Sequence, residues 1–441
     1  MNPLASPGDA NSLRRSKVLA MKNWAIKLSL FINYFVFAIL LNSVGTVILQ
    51  VQRSYLVSAS SASILEAFKD LPIAITSFLI ASFIARIGYR RTMLLALGFI
   101  GVVCLIMPQV PTFWMTKLLF AATGVGFALV KVSVFATLGI VTDDRRQHVS
   151  LMNFLESFFM VGVLAGYFIF SSFVDDQNPG STSWLHVYYV LAVLSFSAFT
   201  LLMFTPLDES QVAPGDSVSP LQDFKAMMAL CIRPLVLIFV ISAFLYVLIE
   251  QSIMTWLPTF NSKILNLPAS LSIQMTSILA LSTALGRFAA GFIFRKLDWF
   301  KVLFTGLLLA AVLVIVVLPL AGQTGQHAVT NWSNAPVAAF VFPLIGICIA
   351  PVYPAINSVI LSALPARQHA PMAGLIVVFS ALGGTTGSII TGHLFDAFGG
   401  KLAFYGSLLP MSVLLLTLYL FKRETDKQFV PATATSLGIS S

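Results

Sequence analysis

Recurring apolar runs, each about as long as a bilayer is thick, constrain this chain more than any other feature. The hydrocarbon core of a membrane is about 30 Å thick, so a helix needs roughly 20 apolar residues to cross it. Apolar residues make up 58% of the 441 residues and charged residues only 10%, which is more apolar surface than a soluble globule can bury. The sequence therefore predicts an all-α membrane protein without large soluble domains.

Polar breaks divide the apolar runs into twelve predicted transmembrane helices in two groups of six. The first six are predicted at residues 25–50, 62–86, 91–110, 113–140, 149–173 and 185–205. The second six are predicted at residues 234–257, 268–295, 301–320, 335–362, 370–396 and 401–421. We therefore expect an N-terminal bundle (24–205) and a C-terminal bundle (234–421), joined by a cytoplasmic linker (206–233) and flanked by cytoplasmic tails (1–23 and 422–441).

The placement of lysine and arginine predicts that both termini lie on the cytoplasmic side. Most basic residues fall in the tails and in the loops after even-numbered helices, whereas the outer loops hold only Arg53, Lys263 and Lys401. Cytoplasmic loops of membrane proteins carry such an excess of positive charge. The net charge of +9 is thus explained without a nucleic-acid partner, and a multi-pass protein of the inner or plasma membrane is expected.

Two short basic turns occupy the same place in each half of the chain. Residues 86–91 follow the second predicted helix, and residues 295–301 follow the eighth. This internal repeat predicts two six-helix bundles related by a pseudo-two-fold axis, with a binding site between them near the membrane midplane. Paired bundles of this kind favour alternating access, in which the two halves rock about a central cavity.

Residues 81–91 resemble the loop signature of the major facilitator superfamily, in which a small residue precedes basic residues that flank a glycine. The resemblance implies a transporter. Ala85 replaces the usual acid of the signature and removes the group that a cytoplasmic lock would use in this half. In the eighth helix, Gly286 and Arg287 resemble a Gly-Arg pair of the same superfamily, for which a structural or gating role is expected rather than substrate contact. The candidate signature residues are Arg86, Gly88, Arg90 and Arg91.

Four shorter segments resemble the fucose–galactose–glucose/proton symporter family. They lie in the fifth, seventh, tenth and eleventh helices, at residues 153–158, 244–250, 353–358 and 392–399. The resemblance implies proton-coupled uptake of a sugar or another small polar metabolite. Two positions depart from the family: residues 42–45 carry no acid in the first helix, and Lys131 lies near the family's acid in the fourth. The proton mechanism of that family therefore does not transfer unchanged.

Charged side chains inside the spans mark a candidate cavity, because a charge at mid-bilayer costs about 2.5–3.5 kcal/mol on insertion scales. Lys131 and Glu156 fall at similar depth in neighbouring antiparallel helices, which favours an ion pair. The pair is either a structural brace or a coupling element in which protonation of Glu156 frees Lys131 for the substrate. Asn153 shares a helical face with Glu156 and offers an amide for a sugar hydroxyl.

Three further polar positions are candidates for the same cavity. Glu250, with Tyr246 one turn before it, is predicted either as a second titrating group or as a hydrogen-bond partner of a neighbouring helix. Asn42 and Asn357 fall at mid-depth in the first and tenth helices, whose counterparts in the superfamily often line the cavity.

A charged cluster stands near the outer end of the second predicted helix. Glu66, Lys69 and Asp70 are spaced so that Lys69 and Glu66 can neutralise each other across one helical turn. We expect an ion pair at the outer surface or at a gate.

Three readings of function follow from these features. The first is proton-coupled uptake of a sugar or another small polar metabolite. The alternative is a proton-driven exporter of a neutral or anionic compound, since Lys131 in the cavity would repel a cation. A receptor or assembly factor on the same scaffold is disfavoured because no soluble domain is appended.

Neither an enzyme nor a metal protein is expected. The sequence shows no nucleophile–base constellation, phosphate loop or metal cluster, and Cys104, Cys231 and Cys348 are too scattered for a zinc site or a disulfide framework. We expect no cofactor beyond the proton as coupling ion. The expected partners are a small-molecule substrate and the lipid bilayer, and the protein is expected to function as a monomer.

Overall fold

The fold was taken from a computed structural model, which describes residues 7–80, 84–141, 145–205, 227–321, 329–365 and 368–429, together with positions 207, 209 and 225. Within these ranges the regular structure is helical throughout, and ten helices are long and apolar enough to cross a membrane. The two other spans, the second and the twelfth, are more polar. The second carries the cluster Glu66, Lys69 and Asp70, and the twelfth ends in the charged stretch 422–427.

Six spans form the N-terminal half. They are Pro7–Asn42 continued by Val44–Ser54, Ala59–Ile80 with Ile84–Ile87, Tyr89–Ile106, Phe113–Ile140, Arg145–Ser171 and Val187–Met203. The first span is interrupted at Ser43, and its helical backbone begins at Pro7, within the segment predicted as a tail.

Six further spans form the C-terminal half. They are Pro234–Lys263, Ala269–Ile293, Trp299–Leu320, the tenth span in three pieces (Val337–Val341, Ile345–Ile349 and Val352–Ala363), His369–Tyr405 and Leu408–Phe429. The predicted all-α fold of two six-helix halves is confirmed.

The helix boundaries differ from the predicted ones at prolines and glycines. The seventh span was predicted to end at residue 257, but it continues through Pro258 to Lys263, because neighbouring helices can satisfy the backbone groups that a proline frees. The tenth span breaks near Pro343 and Pro351, which lack the N–H that a continuous helix needs. Gly399, at φ 78, interrupts the eleventh span close to the predicted boundary.

The two halves meet along three pairs of spans. The second span packs along the eleventh, the fifth along the eighth, and the outer segment of the first along the seventh. Each pair joins one helix of the N-terminal half to one of the C-terminal half. A cavity between the halves is therefore walled by helices of both.

Hydrogen bonds close the outer side of this interface. The Asp396 carboxylate accepts bonds from the backbone N–H groups of Ala59 (3.0 Å) and Ser60 (2.7 Å), at the beginning of the second span. The Lys263 ammonium donates to the side-chain oxygen of Gln52 at 2.6 Å. Among the described residues, no hydrogen bond joins the two halves at the cytoplasmic ends of the spans. The structure therefore shows a conformation that is sealed on the outer side.

Candidate substrate cavity

Lys131 and Glu156 are exposed inside their spans and do not form the predicted direct ion pair. Their charges interact, but among the described residues no carboxylate comes within 4.0 Å of the Lys131 ammonium. The ammonium instead lies over the rings of Phe127 (5.6 Å) and Phe135 (5.9 Å), where cation–π attraction holds it. Both charged side chains are solvent-accessible although they lie inside spans. This fits a water-filled cavity, because charges inside a span face such a space rather than lipid.

Tyr34, in the first span, belongs to the same part of the cavity and was missed by the sequence analysis. Its side chain is 1% exposed, and its ring packs against Phe127, Phe135 and Phe159. Its hydroxyl has no hydrogen-bond partner among the described residues and interacts electrostatically with Glu156. A buried polar group without a partner is uncommon, which singles out this hydroxyl, but it is enclosed by its neighbours in this conformation. Nothing in the sequence distinguished it from other tyrosines in spans.

Glu250, Arg287 and Tyr246 form one hydrogen-bonded group on the opposite side of the cavity. The Glu250 carboxylate accepts a bond from the Tyr246 hydroxyl at 2.8 Å and one from the Arg287 guanidinium at 3.2 Å. The Arg287 side chain remains 43% exposed, and its charge interacts with that of Glu156 in the other half. The predicted bond from Glu250 to a neighbouring helix is thus present, and Arg287 lies beside the cavity.

Tyr353 extends this group toward the tenth and eleventh spans. Its ring stacks on that of Tyr246, with centroids 5.7 Å apart and planes inclined by 21°. Its hydroxyl is hydrogen bonded to that of Ser380 at 2.8 Å. Asn357 interacts with Tyr353, and its buried side-chain oxygen has no partner among the described residues. The Asn42 amide is half-buried and donates to the Ala38 carbonyl of its own helix at 2.9 Å.

Two predicted side chains lie outside the described part of the chain. These are the side chains of Asn153 and Arg86, so their predicted roles stay predictions.

The four described charges of the candidate site are two positive ones, Lys131 and Arg287, and two negative ones, Glu156 and Glu250. They balance when all four groups are ionised. The cavity therefore has no net charge of its own from these groups.

The signature loop braces the N-terminal half. Gly88 has φ 92, which favours glycine, and a Cβ there would lie 2.8 Å from Glu209. The Glu209 carboxylate accepts bonds from the N–H groups of Tyr89 and Arg90 at the start of the third span. The Arg90 guanidinium donates to the backbone carbonyl oxygens of Leu202, Met203 and Thr205 at the end of the sixth span.

These contacts match the helix dipoles, because a carboxylate favours a helix N-terminus and a cation a C-terminus. Glu209 in the linker thus supplies a carboxylate beside a signature that lacks its own acid, and the sequence analysis missed it. Arg91 lines an apolar groove between the third and sixth spans. Gly286 packs against the backbone of Ile347, where a Cβ would come within 2.6 Å of the carbonyl oxygen.

The charged cluster of the second span is buried between the halves. Glu66, Lys69 and Asp70 are 0%, 5% and 8% exposed. Lys69 donates to Glu66, as the spacing predicted, and lies 3.4 Å from Asp70. The Thr255 hydroxyl, on the seventh span, donates to Glu66 at 3.0 Å. The ion pair itself is as expected, but of its two expected places the outer surface is wrong, because the seventh and eleventh spans cover this side of the second. A place at a gate between the halves stays a prediction.

The fold is shared with solved transporters. A bacterial homologue of the human lysosomal transporter Spinster, in an inward-facing and occupied conformation, is 13% identical over 94% of this chain and 98% of its own (TM-score 0.71). The nucleoside transporter NupG is 13% identical over 91% and 99% (TM-score 0.71). A D-xylose–proton symporter is 12% identical over 90% and 97% (TM-score 0.68).

Sequence comparison assigns the family. No curated protein matches this chain significantly. The family model of the Major Facilitator Superfamily, by contrast, matches residues 30–384, which is most of the chain. Together with the twelve spans in two halves, this match identifies a multi-pass membrane transporter rather than an enzyme. The chain belongs to the Major Facilitator Superfamily.

Proposed function

We propose that this transporter takes up a neutral polar metabolite, of which a sugar is the first candidate, together with a proton. The observation that carries the proposal is the balanced set of four charges in the cavity, Lys131, Glu156, Glu250 and Arg287. An ionic substrate would leave this set with an uncompensated charge inside the membrane-spanning region, which is costly. A neutral substrate adds no charge to the set, so the single proton held on a carboxylate is the only change in its charge.

The cavity also offers groups that suit a hydroxyl-rich ring. The half-buried Tyr353 ring, which stacks on the buried Tyr246 ring, supplies a flat apolar surface. The Tyr34 hydroxyl and the side-chain oxygen of Asn357 are buried and have no partners among the described residues, so they would supply a donor and an acceptor once movement of the helices uncovers them. Two of the structural neighbours are described as a nucleoside transporter and a D-xylose–proton symporter. Their ligands are polar rings, which agrees with this proposal.

Glu156 is the proposed carrier of the coupling proton. Its carboxylate is accessible and is the negative group that interacts with Lys131, Tyr34 and Arg287. When Glu156 is ionised, it attracts both cations. When it is protonated, Lys131 loses this interaction and is free for the substrate, while Arg287 keeps its bond to Glu250, so that substrate and proton bind together. The protein acts as a monomer in this scheme, with the proton as its coupling ion and without another cofactor.

Ligand-dependent thermal stability of the purified protein tests the substrate class, because a ligand that binds only the folded state raises stability by mass action. The panel contains neutral sugars, nucleosides, amino acids and anionic metabolites. We expect stabilisation by a neutral compound that persists in Lys131→Ala. Stabilisation by anions alone, lost in Lys131→Ala, would overturn the proposal and favour an exporter or importer of anions.

A further inference from the structure

The buried cluster of the second span, here called the triad, holds two carboxylates and one ammonium. Each oxygen of the Glu66 carboxylate accepts a hydrogen bond, one from Lys69 and one from Thr255. Asp70 has the longer contact with Lys69, 3.4 Å, and among the described residues no other donor reaches it. If all three groups are ionised, one negative charge is in excess. Because burial disfavours an uncompensated charge, the enclosed triad favours a bound proton, and Asp70 is the carboxylate with room for it.

The other half of the protein encloses the triad. Thr255, on the seventh span, makes its bond to Glu66 across the interface. Gly384, on the eleventh span, faces the Asp70 carboxylate so closely that a Cβ there would lie 2.6 Å from the oxygen, and Gln251 is beside it. These two spans belong to the half that must move away from the second span when the outer side opens. Opening therefore exposes Asp70 to water, and closing removes it from water.

Among the residues that the structure describes, no other charge forms a salt bridge with the triad. On the fourth span, the Lys117 ammonium lies over the Phe68 ring, and Lys131 interacts with Glu156 instead. On the seventh span, Glu250 is bonded to Arg287. On the eleventh span, Asp396 caps the start of the second span at the outer surface. Within the described residues, none of these charges forms a salt bridge with the triad.

We propose that the triad is a second proton-binding site, which takes up a proton from the outer side as the seventh and eleventh spans close over it. With the outer side open, the surplus carboxylate is hydrated and ionised. Closure over the ionised triad buries a net charge, whereas closure over the protonated triad buries none. Low external pH therefore favours the outer-closed state. The proposal deepens the proposed function and rests on its alternating access, but it requires neither Glu156 nor a transported substrate.

Labelling of a single cysteine from outside tests this proposal. Ser63→Cys places a thiol behind the outer seal, where Ser63 is 1% exposed and faces Gly392 of the other half. Gln177→Cys, at an exposed outer loop, serves as the control. It is needed because the reactivity of any thiol toward maleimide decreases when the pH is lowered. Both are made in a background without the native thiols Cys104, Cys231 and Cys348. Labelling by a membrane-impermeant maleimide is measured on sealed right-side-out vesicles as external pH is lowered at fixed internal pH.

With the triad intact, the ratio of labelling at position 63 to labelling at position 177 should fall by up to about tenfold per pH unit, the limit for one titrating group. Asp70→Asn and Glu66→Gln each remove the surplus charge and should make the ratio independent of pH. If the labelling ratio does not depend on pH in the protein with an intact triad, the proposal is overturned without any triad variant. If Asp70→Asn or Glu66→Gln folds and its labelling ratio still depends on pH, the proposal is also overturned.

Glu156→Gln in the same background separates this proposal from the proposed function. If the triad is the site, labelling keeps its pH dependence in Glu156→Gln, whatever happens to substrate accumulation. If the pH dependence disappears in Glu156→Gln and survives in the triad variants, the proton site is Glu156 alone and the triad proposal fails while the proposed function stands. If accumulation persists in Glu156→Gln while labelling follows the triad, the coupling role of Glu156 fails and the triad stands.

Discussion

Two sets of charges lie inside spans of the N-terminal half, and their surroundings differ. Lys131 and Glu156 are solvent-accessible, and the lysine rests on aromatic rings rather than on a carboxylate. The triad of the second span is buried, and its lysine contacts two carboxylates. The same residue types thus form an open, exchangeable set in one place and an enclosed, bonded set in the other. The difference lies in which helices cover them.

The largest expected effect comes from replacing Glu156, the proposed carrier of the exchangeable proton. In proteoliposomes, a pH gradient should drive accumulation of the substrate by up to about tenfold per pH unit. Glu156→Gln should abolish this accumulation but leave exchange across the membrane, because binding and rocking need no net proton transfer. Glu424→Gln, at an exposed pair with Lys427, is the matched control. If accumulation is unchanged in Glu156→Gln, Glu156 does not carry the coupling proton.

Removing one lysine from each set compares how much the two lysines contribute to the stability of the fold. Lys69→Met leaves two buried carboxylates without their ammonium and should lower the free energy of unfolding by about 3–5 kcal/mol. Lys131→Met removes accessible cation–π contacts worth about 0.5–1 kcal/mol. Reversible unfolding in mixed detergent micelles measures both. Equal losses of stability in the two variants would falsify the assignment of the triad as an enclosed set.

The cavity charges can be unbalanced without touching Lys131 or Glu156. Glu250→Gln removes one negative charge and weakens the bond from Arg287, and hydrogen bonds to charged groups contribute about 1.5–3 kcal/mol. Affinity for a neutral substrate should fall by about tenfold, and binding of anions should improve. Isothermal calorimetry on both ligand classes checks this. Loss of neutral binding without a gain for anions would argue that Glu250 positions Tyr246 rather than setting the charge of the cavity.

The smallest expected effect concerns the outer seal itself. Asp396 accepts bonds from two backbone N–H groups at the start of the second span, and a helix cap contributes about 1 kcal/mol. Asp396→Ala should therefore raise the population with an open outer side by about fivefold, seen as faster labelling of Ser63→Cys at constant pH. Asp175→Ala, whose carboxylate bonds only within its own outer loop, should leave labelling unchanged.

Most of the fold followed from hydropathy, and the errors have local causes. All twelve predicted spans are helical, because hydrocarbon forces a crossing backbone to satisfy its own hydrogen bonds. The end of the seventh span was wrong because Pro258 suggested a break where the helix continues. The three pieces of the tenth span could not be located in advance, since a proline shows that a helix can break but not how its neighbours absorb the break.

The candidate site was predicted in part. Charges inside spans pointed to Lys131, Glu156 and Glu250, because such residues need a reason to be there. The link from Glu250 to Arg287 was not predictable, since the two are 37 residues apart and on different helices. Tyr34 and Tyr353 were overlooked because neutral aromatic residues in spans are too common to single out. Glu209 was overlooked because it lies in a polar linker, where acidic residues are common.

The sequence by itself determined that the chain forms twelve spans in two six-helix halves, and it predicts that both ends face the cytoplasm. These features depend on the periodic placement of apolar and basic residues, which acts locally along the chain. Only the tertiary structure decided that the Lys131 side chain is exposed while that of Lys69 is enclosed. Which side of a helix faces water depends on neighbours distant in sequence, and burial by those neighbours sets the cost of each charge.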